Sequence, residues 1–147
     1  MITTRYFNLK LRFNLDFLLL THKKTNNMIK NPKIAVFGSG SWATAIVKML
    51  CENMDQVGWY IRNENTIEYI KENEHNPNYL SSAELSIEKL HLSSNINDLV
   101  SYADILIFAI PSAFLKAELN KITVDFSSKI IISAIKGIVQ ESGLIVG

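Results

Sequence analysis

Apolar and polar positions change period several times along the chain, and each change predicts an element. Lys33–Phe37 opens with a short apolar run suited to a buried strand. The run stops across Gly38, Ser39, Gly40, Ser41, Trp42 and Ala43, and Ala45, Ile46, Met49 and Leu50 then recur at helical spacing. This predicts strand, tight turn, helix. Glu52–Asp55 is a polar break, and Gln56–Ile61 predicts a second strand ending at Arg62. Asn65–Glu74 carries Ile67 and Ile70 at helical spacing and has to end before Pro77, because the residue preceding a proline avoids helix. Ser81–Glu88 reads as irregular, Leu90–Ser93 as a short third strand, and Asn95 as the cap of a helical turn through Leu99 and Tyr102. Asp104–Ile110 predicts a strand covered on both faces, stopped by Pro111 and Ser112, which open a helix through Leu119. Lys129–Ala134 predicts a further strand of the same doubly covered kind. Strands alternating with helices make an α/β fold, a Rossmann-type doubly wound parallel sheet.

The glycine turn is where this pattern meets chemistry. Gly38 lets the chain turn sharply, Gly40 removes a side chain where backbone must approach a pyrophosphate, and Ala43 keeps the helix close to the strand. Amides at the helix start, near Ser41 and Trp42, point toward the phosphates with the positive end of the helix dipole behind them. At the end of the second strand an acidic residue would hold the adenine ribose, whereas an arginine suits a 2'-phosphate. Arg62 there leans toward NADP, or toward tolerance of both cofactors through stacking on adenine, with Glu64 near enough in sequence to compete for a ribose. Ligands of such sheets lie beyond the carboxyl ends of the strands, so the glycine turn, Arg62, Pro111-Ser112 and Lys136-Gly137 should share one rim.

Composition narrows the partners. A chain of 147 residues that is 48% hydrophobic can bury one core, not two full domains, and a formal net charge of +1 gives no strong attraction to nucleic acid or an acidic membrane. Cys51 is the single cysteine, which excludes an internal disulfide and suits a reducing compartment; in the first helix it reads as core packing. His75 and His91 lack partners at metal-ligand spacing, so no metal is expected. Residues 1–27 differ from the rest: their apolar cluster Leu15–Leu20 is interrupted by Asp16 and is too short to span a membrane. They read as an atypical extension from an upstream start, with Met28 the ordinary start of a domain at 28–147, and a targeting or anchoring role is the alternative.

From about residue 30 to 147 the chain resembles the amino-terminal half of bacterial NAD(P)-dependent glycerol-3-phosphate dehydrogenase. The resemblance rests on GSGSWATA (Gly38–Ala45), Trp59 with Arg62, the Asn-x-x-Tyr-Leu loop (Asn76, Tyr79, Leu80), AIPS (Ala109–Ser112) and SAIKG (Ser133–Gly137). Ala43 stands where the family more often has Gly, and Ser81 where it often has Pro. The resemblance implies that Ser41, Trp42 and Arg62 contact NAD or NADP and that Lys136 contacts both cofactor and phosphorylated substrate. It also implies reduction of dihydroxyacetone phosphate to sn-glycerol 3-phosphate for phospholipid synthesis, in the cytoplasm, by an enzyme whose full-length form admits a homodimer. The family continues into a helical domain that supplies the main proton donor. With the sequence ending at Gly147, the expectation is a fragment, a truncated product or a chain completed by a partner, inactive alone. A non-catalytic nucleotide-binding module and the nucleotide domain of another NAD(P)-dependent dehydrogenase are the competing readings.

Overall fold

The computed structural model describes residues 30–135; residues 1–27, expected to be an extension, and Lys136-Gly137 lie outside them. Five strands form one parallel sheet in the order β3-β2-β1-β4-β5: β1 Ile34–Phe37, β2 Val57–Tyr60, β3 Leu90–Ser93, β4 Ile105–Phe108 and β5 Ile130–Ser133. The helices are α1 (Ser41–Cys51), α2 (Glu64–Asn73), α3 (Ile96–Tyr102) and α4 (Ser112–Leu119). The chain runs outward from β1 to β3, returns to the middle of the sheet, and continues from β4 to β5 on the other side. The reversal leaves a crevice at the carboxyl ends of β1 and β4, where doubly wound sheets take their ligands.

Every residue of β1, β2 and β4 is buried, which requires cover on both faces. Ala35, Phe37, Leu106 and Phe108 pack with Ile96, Leu99 and Val100 of α3, and Leu115 of α4 joins this cluster from a partly buried position. Helix α1 lies over β1 and β2 and takes no part in that cluster; Ala43, Ile46, Val47 and Leu50 are its buried apolar stripe. Cys51 closes the stripe at 4% exposure, and burial raises its thiol to about 11, as expected for core packing. Gly58 has a packing reason: a Cβ there would come within 2.7 Å of Leu99 Cδ1 and 2.9 Å of Ala35 Cβ, so a bare strand position lets α3 settle on the sheet.

Two helices begin on asparagine caps. Asn63 Oδ1 accepts the Asn65 amide at 2.9 Å, and Asn95 Oδ1 accepts the Asn97 amide at 3.0 Å. Glu74, with φ 61°, ends α2 in the left-handed conformation before Pro77.

Two expected strands differ. Over Asp104–Ile110 the regular strand is only Ile105–Phe108; the Ala109 amide still reaches Phe37 O at 2.8 Å, and the chain then leaves the sheet ahead of Pro111. The described residues do not cover the strand at Lys129–Ala134 on both faces. Its Ile131 and Ser133 are exposed among the described residues, because β5 is the sheet edge there and no described helix crosses that face.

Candidate functional site

The last residues of the central strands form an aromatic row in the core, of which Tyr60 lines a cleft. Phe37, Tyr60 and Phe108 stand in register, with ring centroids 4.7 Å apart for Phe37–Phe108 and 5.8 Å for Phe37–Tyr60. Above this aromatic row the chain turns through Gly38, Ser39 and Gly40. Gly38 has φ +125°, and a Cβ on it would lie 2.7 Å from the Ala109 carbonyl oxygen. Its amide donates to Tyr60 O at 3.2 Å, and its carbonyl accepts the Trp59 indole N–H at 2.7 Å. The protein itself therefore demands glycine at 38.

Gly40 answers to something else. Its backbone (φ −75°, ψ 179°) is open to any residue, and a Cβ there would meet nothing within 4 Å. As N-cap of α1 it offers no side chain to the helix start, and the first amide bonded inside the helix is that of Thr44, to Gly40 O at 2.9 Å. The turn thus presents backbone and the positive end of an 11-residue helix to a space that a side chain would fill. That is the geometry a pyrophosphate requires, and the residues present fit a dinucleotide.

The turn is held from behind by Asn76, which is fully buried. Its Nδ2 donates to Ser39 O (3.0 Å) and Thr44 Oγ1 (2.9 Å), and its Oδ1 accepts the amides of Asn78 (3.0 Å) and Tyr79 (3.2 Å). Thr44 Oγ1 donates in turn to Gly40 O at 3.0 Å. One side chain fixes the glycine turn and aims the loop that carries Tyr79 and Leu80 at the clefts.

Two cavities meet over Gly40 and Pro111. One, of about 190 Å³, lies among the Gly38–Gly40 turn, Tyr60, Arg62, Tyr79, Phe114 and Glu118. The other, of about 560 Å³, is bounded by Ser41, Trp42, Ala45, Leu80, Ala134 and Ile135. Of the site residues expected from sequence, Gly38, Ser39, Gly40, Arg62 and Pro111 come together in the smaller cleft, and Ser41 and Trp42 stand in the larger. Ala43 lines neither: it is fully buried, consistent with close packing of α1 on the sheet rather than ligand contact. Glu64 is turned away, accepting a hydrogen bond from Ser94 Oγ at 2.9 Å. Lys136 lies outside the described residues.

A buried carboxylate not expected from the sequence stands in the smaller cleft. Glu118 is the one buried residue of α4, with its side chain 5% exposed. Its Oε2 accepts the Tyr60 hydroxyl at 2.7 Å, and its Oε1 lies 2.8 Å from Lys121 Nζ and 3.6 Å from Arg62 Nη1. Burial pushes its carboxyl up, but Lys121, Tyr60 and Arg62 outweigh burial and hold it below the ordinary range. The Tyr60 hydroxyl is pushed up, by burial and then by its bond to the carboxylate. Arg62 is 67% exposed and also faces the Phe114 ring, 6.0 Å from its centroid. Nothing in the local sequence marks Glu118: a single glutamate on a short helix reads as a solvated charge.

A family profile described as the NAD-dependent glycerol-3-phosphate dehydrogenase N-terminus matches residues 33–146. The chain belongs to that family. A glycerol-3-phosphate dehydrogenase [NAD(P)+] from Staphylococcus saprophyticus is 38% identical over 97 residues, covering 66% of this chain and 29% of the relative. A solved glycerol-3-phosphate dehydrogenase from Saccharomyces cerevisiae superposes with a TM-score of 0.63 at 31% identity, over 74% of this chain and 34% of that one. The Coxiella burnetii glycerol-3-phosphate dehydrogenase shares the fold with a TM-score of 0.65 at 19% identity, over 76% of this chain and 34% of that one. The family member described here spans about a third of the length of the curated relatives it matches.

Proposed function

We propose that this chain is the cofactor-binding portion of an NAD(P)H-dependent enzyme that reduces dihydroxyacetone phosphate to sn-glycerol 3-phosphate. The observation that carries the reading is Gly40, a glycine with no steric reason of its own at the start of α1, in the crevice between β1 and β4. Family membership supports the reaction class. The chemistry supplied by the bound nicotinamide is hydride delivery to the substrate carbonyl carbon.

The described residues bind and orient. Amides of the Gly38–Gly40 turn and the head of α1 would take the pyrophosphate. Arg62, beside Phe114 and Glu118, would meet the adenosine end. Trp42, Leu80 and Ile135 would form apolar walls of the wider cleft, against which the rest of the cofactor would lie. Lys136 follows Ile135 directly, and the SAIKG resemblance supports it as a contact to both cofactor and substrate phosphate; in the complete enzyme Lys136→Ala should lower kcat/KM about a hundredfold. No described helix is long and apolar enough to cross a membrane. A cytoplasmic enzyme, homodimeric at full length, belongs to the same proposal.

Gly40→Val tests the reading. A Cβ at 40 meets nothing within 4 Å, and the cost to the fold is the N-cap preference for Gly over Val, about 1 kcal/mol, so the melting temperature should fall by no more than about 5 °C while calorimetric titration loses NADH and NADPH affinity by at least about a hundredfold. Equal affinity in both proteins would remove the pyrophosphate assignment.

A further inference from the structure

We infer that Glu118 is a specificity residue of the nucleotide cleft: its buried carboxylate, paired with Arg62, biases the adenosine end of the cleft against a 2'-phosphate. This rests on the nucleotide-site reading above and goes beyond it, since an arginine at the end of β2 taken alone leans toward the phosphorylated cofactor.

The argument begins with topology. A nucleotide whose pyrophosphate meets the Gly38–Gly40 turn extends its adenosine toward the end of β2, and dehydrogenases distinguish the two cofactors by the charge found there. The strand itself supplies Arg62. The opposite wall, α4, supplies Glu118, and both line the same 190 Å³ cleft as the glycine turn. An acid therefore stands at the adenosine end, brought by a different element from the one the sequence pattern would search.

Charge then decides the sign. Glu118 Oε1 is shared between Lys121 Nζ at 2.8 Å and Arg62 Nη1 at 3.6 Å, and Tyr60 occupies Oε2 at 2.7 Å. Arg62 is thus partly committed to an internal anion, and a 2'-phosphate bearing close to two negative charges would approach both the guanidinium and the carboxylate. With the side chain only 5% exposed, that carboxylate is poorly screened by water. A ribose hydroxyl carries no such penalty. Glu118 acts on the phosphate partly through Arg62, which makes it a positioning residue as well as a source of field.

The test is calorimetric titration of the full chain with NADH and with NADPH, reading the ratio of the two affinities. Glu118→Gln keeps the shape and an acceptor for Tyr60, and should raise the NADPH-to-NADH affinity ratio at least about fivefold. In an Arg62→Ala background the same substitution should raise it less than half as much. Lys121→Met, a change at a half-exposed side chain that should fold normally, leaves Glu118 less compensated and should lower the ratio. A ratio that stays within twofold in Glu118→Gln, or in Lys121→Met should the first variant not fold, overturns the inference while leaving the nucleotide site standing. Wild-type chain that binds neither nucleotide overturns the site reading and this inference with it.

Discussion

On the β1–α1 side of the cleft the chain presents backbone, and on the β4–α4 side it presents side chains. The first wall is Gly38, Ser39 and Gly40, stripped of bulk and braced from behind by the Trp59 indole and the Asn76 amide. The second is Pro111, Phe114 and Glu118 on a helix whose single buried residue is the carboxylate. A backbone wall recognises what every dinucleotide shares, a pyrophosphate, because amides offer direction without identity. A side-chain wall can distinguish one nucleotide from another, because its charge changes by substitution without moving the fold. On the proposed reading, general affinity and cofactor choice fall to opposite sides of one cleft.

The comparison predicts different failures for the two glycines of the backbone wall. Gly38→Ala forces a Cβ to 2.7 Å from the Ala109 carbonyl oxygen at φ +125°, so it should cost about 2–4 kcal/mol of folding stability. Gly40→Ala should cost no more than about 1 kcal/mol, the N-cap preference for Gly over Ala, because its Cβ enters open space, yet it should weaken both cofactors. Urea unfolding of the two variants checks the contrast. Similar losses of stability would mean that Gly40 also serves the fold.

Next in size is the brace. Asn76→Ala removes two donated and two accepted hydrogen bonds from a fully buried site and should destabilise by about 2–3 kcal/mol. Cofactor affinity should fall for NADH and NADPH alike, since what loosens is the shared backbone wall. A selective loss of one cofactor in titrations of this variant would break the division between the walls.

How much of each wall was legible follows from how local its signal is. The strand–glycine–helix change of period spans a few residues, so the turn, Pro111 and the Asn95 cap were readable from neighbours in sequence alone. Gly38 and Gly40 were also separable in role, and the structure supplies the distances. Asn76 was visible in a motif, but its function as a brace depends on Ser39 and Thr44, 37 and 32 residues away. Glu118 meets Tyr60 across 58 residues, and no periodicity on α4 announces that its buried position is an acid. The reading of Arg62, toward NADP or toward tolerance of both cofactors, was made without that partner for the same reason. Likewise β5 read as doubly covered because an apolar run records composition, whereas cover depends on which helices arrive.

A smaller effect sharpens the side-chain wall through pH. The Glu118 carboxyl is held below its ordinary value of 4.5 in the folded protein, so its ionised form contributes stability that is fully present above the unfolded value. That contribution is lost as pH falls from about the ordinary carboxylate range through the lower folded value. Melting temperatures recorded from pH 7 downward should therefore show a shallower acid decline in Glu118→Gln than in wild type. Parallel declines would mean that the pairing with Lys121, Tyr60 and Arg62 does not stabilise the fold.

The smallest expected effect belongs to Arg62 itself. Its side chain is 67% exposed and lies 3.6 Å from a carboxylate that already holds Lys121 at 2.8 Å, so much of its charge is either solvated or answered within the protein. Arg62→Ala should cost NADPH only about 1 kcal/mol, roughly fivefold in affinity, where an uncommitted guanidinium on a phosphate would be worth about 1.5–3 kcal/mol. NADH should lose less than NADPH, because what it forfeits is contact with the guanidinium plane and not a phosphate partner. Folding stability should change by under about 0.5 kcal/mol, as expected at an exposed position. A loss of NADPH affinity beyond about thirtyfold would show that Arg62 leaves Glu118 to grip the 2'-phosphate, and the charge on the second wall would then have to be read as a spring-loaded partner and not as a brake.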